Sequence, residues 1–367
     1  MRILLVTNDF PPRVGGIQSY LWNIYRGLGT DVRVLAPAFA GDVAFDRASG
    51  VEVVRWPRAV AWPTPALEKQ IHELSRDADV VAFGAVLPMN LFAARVDRPV
   101  VVHTHGFEVA WARAPVMRQA LRRIGRAASL ITVVSDFTAR FIERAVGEPE
   151  KIHLLRTGVD LDRFSPDADG VTIRKRYDID ERPLVACVSR LVARKGQDRI
   201  IEAMSTVRAR VPDATALIVG GGPMRKRLEA RARALGLQDA VVFTGEVPED
   251  ELAAHYAAGD VFAMPCRSRY AGLEAEGLGL VYLEAQACAR PAITGDSGGA
   301  PEAVIPGETG LVVSGNAVGP LAHGIARLLA DPPGARAMGQ AGRRFVEREH
   351  HWSDVIARYR TMLESIR

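Results

Sequence analysis

Cysteine is nearly missing from this chain. Cys187, Cys266 and Cys288 are the only three in 367 residues, and no two form a C-x-x-C pair. An odd, scattered set excludes a disulfide framework, gives no zinc signature and fits a reducing compartment. Long apolar runs are missing too. The longest uncharged stretch, 80–94, is interrupted by Pro88 and Asn90 and falls short of the ~20 residues that a membrane span needs. The opening MRILLVTND is too short an apolar run for a signal peptide, so no crossing of a bilayer is expected. Lysine is scarce, with only Lys69, Lys151, Lys175, Lys195 and Lys226. Net charge is +4, and the whole excess lies in residues 1–165, which carry 21 basic and 17 acidic side chains. That small excess, without a recognition motif, gives nucleic-acid binding little support.

What is present is an ordinary globular composition, 48% hydrophobic and 25% charged, which excludes disordered, collagen-like and coiled-coil chains. At roughly 150 residues per domain, the length favours two domains. Short apolar, β-branched runs alternate with helix-period segments throughout. In the first half, strands are expected at 2–7, 32–36, 51–55, 80–83, 100–103 and 130–134, with helices near 16–28, 66–75, 113–127 and 136–146. In the second, strands are expected at 184–189, 216–219, 241–244, 261–264 and 292–294, with helices near 197–210, 223–235, 249–258, 279–288 and 317–330. Near-continuous apolar strands alternating with helices describe parallel sheets covered on both faces. The expected class is α/β, two doubly wound Rossmann-like domains, 1–167 and 168–351, divided at the turn-rich FSPDADG.

Such sheets bind ligands at the carboxyl ends of their strands. After the first strand, Gly15-Gly16 opens a helix, where a bare N–H can approach an anion, although a tight turn would explain the pair equally well. Neither this loop nor Gly220-Gly221-Gly222-Pro223 completes G-x-G-x-x-G, which argues against an NAD enzyme. His105, in Val102-His103-Thr104-His105-Gly106-Phe107-Glu108, is either a hydrogen-bonded structural histidine or a group facing a cleft between the domains. His103 and His105 have no third ligand at a recognisable spacing, so a metal pair is not expected. Ser135 reads as an N-cap. Ser189-Arg190-Leu191-Val192-Ala193-Arg194-Lys195-Gly196 crowds cations at a strand end, either as a solvated basic turn or as a diphosphate clamp with Arg190 as fork and Lys195 as point charge.

The most informative segment is Glu276-Gly277-Leu278-Gly279-Leu280-Val281-Tyr282-Leu283-Glu284. It sets two carboxylates eight residues apart around a glycine turn that opens an apolar helix. Glu276 in the loop and Glu284 in the helix could each hold a polyhydroxylated ring, while free amides at the helix start suit an anion. The alternatives are a first-turn dipole partner for Glu276 and a buried ion pair for Glu284.

At these residues the chain resembles the retaining glycosyltransferases of the GT-B fold marked by E-x7-E. Gly15-Gly16, His105, Arg190 with Lys195, Thr244-Gly245-Glu246-Val247 and Ser297-Gly298-Gly299-Ala300-Pro301-Glu302 fall in that family's order over essentially the full length. The 276–288 segment and Gly15-Gly16-Ile17-Gln18-Ser19-Tyr20 are similar to actinobacterial mannosyltransferases of phosphatidylinositol mannoside synthesis, in particular to the second, which uses GDP-mannose.

The resemblance implies two domains facing a central cleft, with the first completed by a C-terminal helix at about 352–367, within a helical pattern running from Val346 to Ile366. It implies that Gly16, Arg190 and Lys195 hold the donor diphosphate, and that Glu276 with Gly277, Leu278, Gly279 and Leu280 holds the hexose. Glu284 takes the ribose and Val247 the base through its backbone; no side chain here identifies guanine, although Asp250 or Glu251 could accept from its N–H groups. His105 stands beside the sugar, and it and Gln18 meet the acceptor. No DxD-type carboxylate pair is visible, so no metal and no cofactor beyond the GDP-mannose donor is implied. The expected acceptor is a phospholipid glycolipid. Residues 109–135 carry Arg113, Arg118, Arg122, Arg123 and Arg126 among apolar residues and no acid, which reads either as a solvated helix face or as a contact with an anionic membrane surface. The expected location is cytoplasmic, peripheral at the inner face of the cell membrane. The competing functions are a UDP-sugar-dependent transferase with a small soluble acceptor and a non-catalytic sugar-nucleotide-binding protein.

Overall fold

Seven strands build the first sheet: β1 (Arg2–Val6), β2 (Asp31–Pro37), β3 (Glu52–Trp56), β4 (Val80–Phe83), β5 (Val100–His103), β6 (Leu130–Val133) and β7 (Ile152–Leu154). The coordinates are a computed structural model that describes residues 1–112 and 114–367, so Arg113 lies outside the described residues. The strands are all parallel, in the order β3-β2-β1-β4-β5-β6-β7.

Alternation along β1 explains why its run is wholly apolar. Ile3 and Leu5 pack with Leu21 and Ile24 of helix Gly16–Gly27 and with Val355, Tyr359 and Leu363 of the C-terminal helix Trp352–Ser365. Leu4 and Val6 pack on the opposite face with Leu67, Ile71, Leu121 and Ile124. Both faces are covered by helices, and each such fully buried side chain stabilises the fold by ~1.5–3 kcal/mol relative to exposure.

The second sheet holds β8 (Leu184–Val188), β9 (Thr215–Val219), β10 (Val241–Gly245), β11 (Val261–Met264), β12 (Ala292–Gly295) and β13 (Gly310–Val313). It is also all parallel, in the order β10-β9-β8-β11-β12-β13, around a single apolar core. In each sheet the strand order reverses beside the first strand, between β1 and β4 and between β8 and β11. Ligands bind doubly wound sheets at such switch points, which singles out the loops after those four strands.

The chain divides into two units, Met1–Gly158 with Trp352–Arg367, and Val159–His351. The division comes earlier than the 167/168 boundary expected from the turn residues. Val159 N–H donates to His350 O at 2.8 Å, and Phe164 sits in the second core, so 159–167 already belong to the second unit. The helical pattern from Val346 to Ile366 is not continuous. It is split into Pro332–Glu349 and Trp352–Ser365 around His350, whose carbonyl serves Val159 instead of a helix. The helix expected near 113–127 is Pro115–Ala127, with Pro115 in the first turn, and a short helix, Glu108–Ala112, precedes it.

Candidate functional site

In the second unit, the loops after β8 and β11 meet because their strands are neighbours. Lys195 Nζ donates to Glu276 Oε2 at 2.8 Å, and Arg194 Nη1 bonds the same oxygen. The Glu276 residue is only 8% exposed. Burial alone would push its carboxyl up, but Lys195 and Arg194 together hold it below the usual carboxylate range. An ionised carboxylate is therefore presented in a nearly closed setting. A lysine ammonium has three donors and spends one here, so two remain for another acceptor.

The backbone around this group is tightly determined. Gln197, itself buried, donates through Nε2 to Ser189 Oγ at 2.8 Å and to Arg190 O at 2.9 Å, which fixes the path after β8. Arg267 holds Asp198 with two bonds of 3.0 and 2.9 Å while its own N–H donates to Arg194 O. Glu276 O accepts from Gly299 N at 2.9 Å, and Glu276 N donates to Ser297 Oγ at 3.3 Å. Gly298, at φ +61°, must be glycine, because a Cβ would lie 2.0 Å from Glu276 O.

Downstream, Gly279 is the N-cap of helix Leu280–Ala287, and no side chain caps that helix start. Its first amides are thus available to an anion or hydroxyl oxygen. Gly277, Leu278 and Leu280 flank this turn, with Leu278 packed into the core. One turn into the helix, Glu284 accepts from Tyr256 Oη at 2.5 Å. Burial pushes the Glu284 carboxyl up, opposed by the Tyr256 bond and by nearby Arg163. Val247 is half-buried at the end of the β10 loop. Glu251 is bound to Arg176 by bonds of 2.5 and 3.1 Å, which commits it elsewhere than to a base.

Arg190 was expected beside Lys195, but its exposed side chain has no ion-pair partner among the described residues. Arg194 is the arginine that meets Glu276, which leaves Arg190 uncommitted. The cation-rich loop signalled that more than one positive charge gathers there, but not which arginine folds inward. Tyr256 carries no sequence signal, because nothing local tells a core tyrosine from one that meets a carboxylate.

In the first unit, Gly16 begins helix 16–27, and a Cβ there would meet nothing within 4 Å. Gln18 is engaged locally, donating through Nε2 to Asp9 Oδ1 at 2.8 Å. His105 sits at the end of β5. Its Nε2 lies 2.7 Å from Gly84 O in the loop after β4, and since a carbonyl only accepts, Nε2 carries the proton and Nδ1 is the acceptor. Burial pushes the His105 pKa down to about 4, so the ring is neutral. His103 is wholly buried in a web with Tyr25 (2.7 Å), Thr132 (2.7 Å) and Tyr359 (3.2 Å), and burial pushes its pKa down to about 3. It is a structural histidine. Among the described residues no cluster of three or more His, Cys, Asp or Glu side chains could hold a metal ion, and no helix is long and apolar enough to cross a membrane.

Helix Pro115–Ala127 turns Leu121 and Ile124 inward and exposes Arg118, Arg122, Arg123 and Arg126 beside Val116, which is 77% exposed. None of these four arginines forms an ion pair among the described residues.

Residues 14–163 match the family described as Glycosyltransferase Family 4, and residues 171–345 match Glycosyl transferases group 1. The GDP-mannose-dependent alpha-(1-6)-phosphatidylinositol monomannoside mannosyltransferase of Mycobacterium tuberculosis is 47% identical, over 97% of this chain and 96% of that protein. The GDP-mannose-dependent monoacylated alpha-(1-6)-phosphatidylinositol monomannoside mannosyltransferase of Corynebacterium glutamicum is 42% identical, over 99% and 98%. In structure, Anabaena HepE, solved with UDP, superposes with a TM-score of 0.85 over all of both chains at 21% identity, a likeness of fold. With two parallel doubly wound units, a clamped Glu276 and relatives of this identity over nearly its whole length, the chain belongs to the GT-B glycosyltransferases of family 4.

Proposed function

We propose that this chain is a retaining, metal-independent mannosyltransferase that moves mannose from GDP-mannose to a phosphatidylinositol mannoside. The observation that carries the reading is the ionised Glu276 carboxylate clamped by Lys195 and Arg194 beside an uncapped helix start. The names of the full-length relatives supply the donor and acceptor.

Each part then has a task. As the bond from mannose to diphosphate breaks, negative charge grows on the leaving phosphate. Lys195, Arg190 and the Gly16 amide stabilise that charge more in the transition state than in the ground state, the role a metal ion fills elsewhere. Glu276 and the amides of Gly277, Leu278, Gly279 and Leu280 orient the hexose hydroxyls. Glu284 takes the ribose and Val247 the base. His105, neutral and with Nδ1 as acceptor, stands by the sugar, and Gln18 serves the acceptor. The departing phosphate receives the proton of the attacking hydroxyl on the same face, which gives retention.

The arginine face of helix 115–127 supports a peripheral position on an anionic membrane at the cytoplasmic side, where each arginine near the surface contributes ~1 kcal/mol. Transfer of radiolabelled sugar from GDP-mannose and from UDP-glucose to a lipid extract containing phosphatidylinositol mannosides tests the reading. Label from GDP-mannose in a more mannosylated lipid is the expected result. Label only from UDP-glucose, or none from either donor, would overturn it.

A further inference from the structure

We propose that Glu108 is a positioning residue for His105, its buried carboxylate tying down the backbone of the His105–Gly106 turn and so fixing where the imidazole points. The proposal deepens the mannosyl-transfer reading and rests on it for what His105 does.

The geometry is specific. Glu108 is 0% exposed and makes no ion pair among the described residues. Its two oxygens accept the His105 N–H at 3.2 and 3.0 Å, and Oε2 also accepts the Gly106 N–H at 2.8 Å. Gly106, at φ +100°, makes the turn that brings both N–H groups onto one carboxylate. The imidazole that follows is held by Gly84 O at Nε2 and lies edge-on to Tyr20, with ring centroids 5.4 Å apart. Backbone, ring edge and one nitrogen are thus fixed by three separate elements. Nδ1 has no hydrogen-bond partner among the described residues.

A wholly buried carboxylate without a cation is costly, and burial pushes this one up to about 7 despite its backbone donors. A neutral side chain could cap a short turn with less desolvation. A group that accepts several N–H bonds at once is needed where the peptide plane itself must be held. That is the situation at a residue whose ring has to sit within a fraction of an ångström of a reacting sugar, where a misplacement of about 1 Å costs on the order of 100-fold.

The test compares wild type with Glu108→Gln, which keeps the volume and one acceptor, and Glu108→Asp, which keeps the charge but retracts it. kcat and KM for GDP-mannose are measured, with thermal melting as the control for folding and amide hydrogen exchange of residues 104–109 as a readout independent of activity. Glu108→Gln should stay folded at the assay temperature, lose at least about tenfold in kcat with KM within about twofold, and exchange the His105 and Gly106 amides faster. Glu108→Asp should recover part of kcat. A folded Glu108→Gln with wild-type kcat and wild-type exchange overturns the proposal, as does a loss that follows only the fraction of folded protein. If Glu108→Gln fails to fold, the same readouts on Glu108→Asp decide. A wild type that moves no mannose defeats the functional reading instead, and exchange alone then decides the role of Glu108.

Discussion

Lys195 Nζ stands 2.8 Å from Glu276 Oε2, and Arg194 closes on that same oxygen from the same loop. One carboxylate oxygen therefore meets two cations, and the trio keeps a net positive charge. Removing Lys195 takes away the proposed donor to the leaving phosphate and also the stronger of the two charges that keep Glu276 ionised. Lys195→Met is expected to lower kcat by ~100-fold or more, the usual cost of losing one transition-state donor. Steady-state kinetics with GDP-mannose check this, and a Lys195→Met variant with wild-type turnover would remove Lys195 from the mechanism.

Two glycines separate binding from folding. A Cβ on Gly16 meets nothing within 4 Å, so Gly16→Ala should melt at or slightly above the wild-type temperature, because alanine favours a helix over glycine by up to ~1 kcal/mol. On the proposed role of the Gly16 N–H it should still bind GDP less tightly, since the methyl would intrude between that N–H and the diphosphate. Gly298→Ala is the opposite case. Its Cβ would lie 2.0 Å from Glu276 O at a backbone angle of +61°, so it should melt lower and lose Glu276 from its place. Calorimetric GDP binding and melting curves on both variants distinguish the two effects.

The sheets were legible in the sequence because fully buried parallel strands are continuous apolar runs, such as 80–83 and 184–188. Ile152–Leu154 was not, since an edge strand of three residues with a histidine in its middle has no such run. Helix Asp42–Ser49 escaped for a related reason: it buries no residue, so no apolar period marks it. At the site, the E-x7-E spacing located both carboxylates, but partner choice was hidden. Arg190 and Arg194 are chemically alike and four residues apart, and only the turn around Ala193–Lys195 decides which reaches Glu276. Nothing in the sequence sets Glu108 apart from the other acidic residues; its burial does.

Glu284 and Tyr256 give a prediction about donor affinity. The 2.5 Å bond from Tyr256 opposes the upward push of burial on the Glu284 carboxyl. Tyr256→Phe should therefore raise that carboxyl further and leave less of it ionised at mildly acid pH. KM for GDP-mannose should rise, and rise more as pH falls, while kcat changes little. Measuring KM between about pH 5 and 8 checks it. A pH-independent KM in the variant would detach Glu284 from the ribose.

The arginine face predicts a salt-dependent membrane contact. Replacing Arg122 and Arg126 with Gln removes two exposed charges from helix 115–127 and leaves its inward Leu121 and Ile124 intact. At ~1 kcal/mol each, vesicle binding should weaken about 30-fold on phosphatidylinositol-containing vesicles and hardly at all on neutral ones. Co-sedimentation at low and high salt measures it. Equal binding of wild type and variant to anionic vesicles would leave this face as a solvated helix.

Glu108 also sets a pH dependence of stability whose sign can be worked out. Its native carboxyl titrates at about 7, against 4.5 for the ordinary group. Between these values the native chain keeps a proton that the unfolded chain has released, so unfolding free energy falls as pH rises through that window. Below the window both states are protonated and above it both are ionised, so the effect is flat outside it. Glu108→Gln cannot take part. The stability of Glu108→Gln minus that of wild type should therefore climb from about pH 4.5 to 7, by at most ~1.4 kcal/mol per pH unit, and then level. All five tryptophans, Trp22, Trp56, Trp62, Trp111 and Trp352, belong to the unit that contains Glu108, so fluorescence-detected urea melts report on that unit alone. A difference that stays level across the window, or falls with pH, would mean that Glu108 is ionised in the native protein well below neutrality.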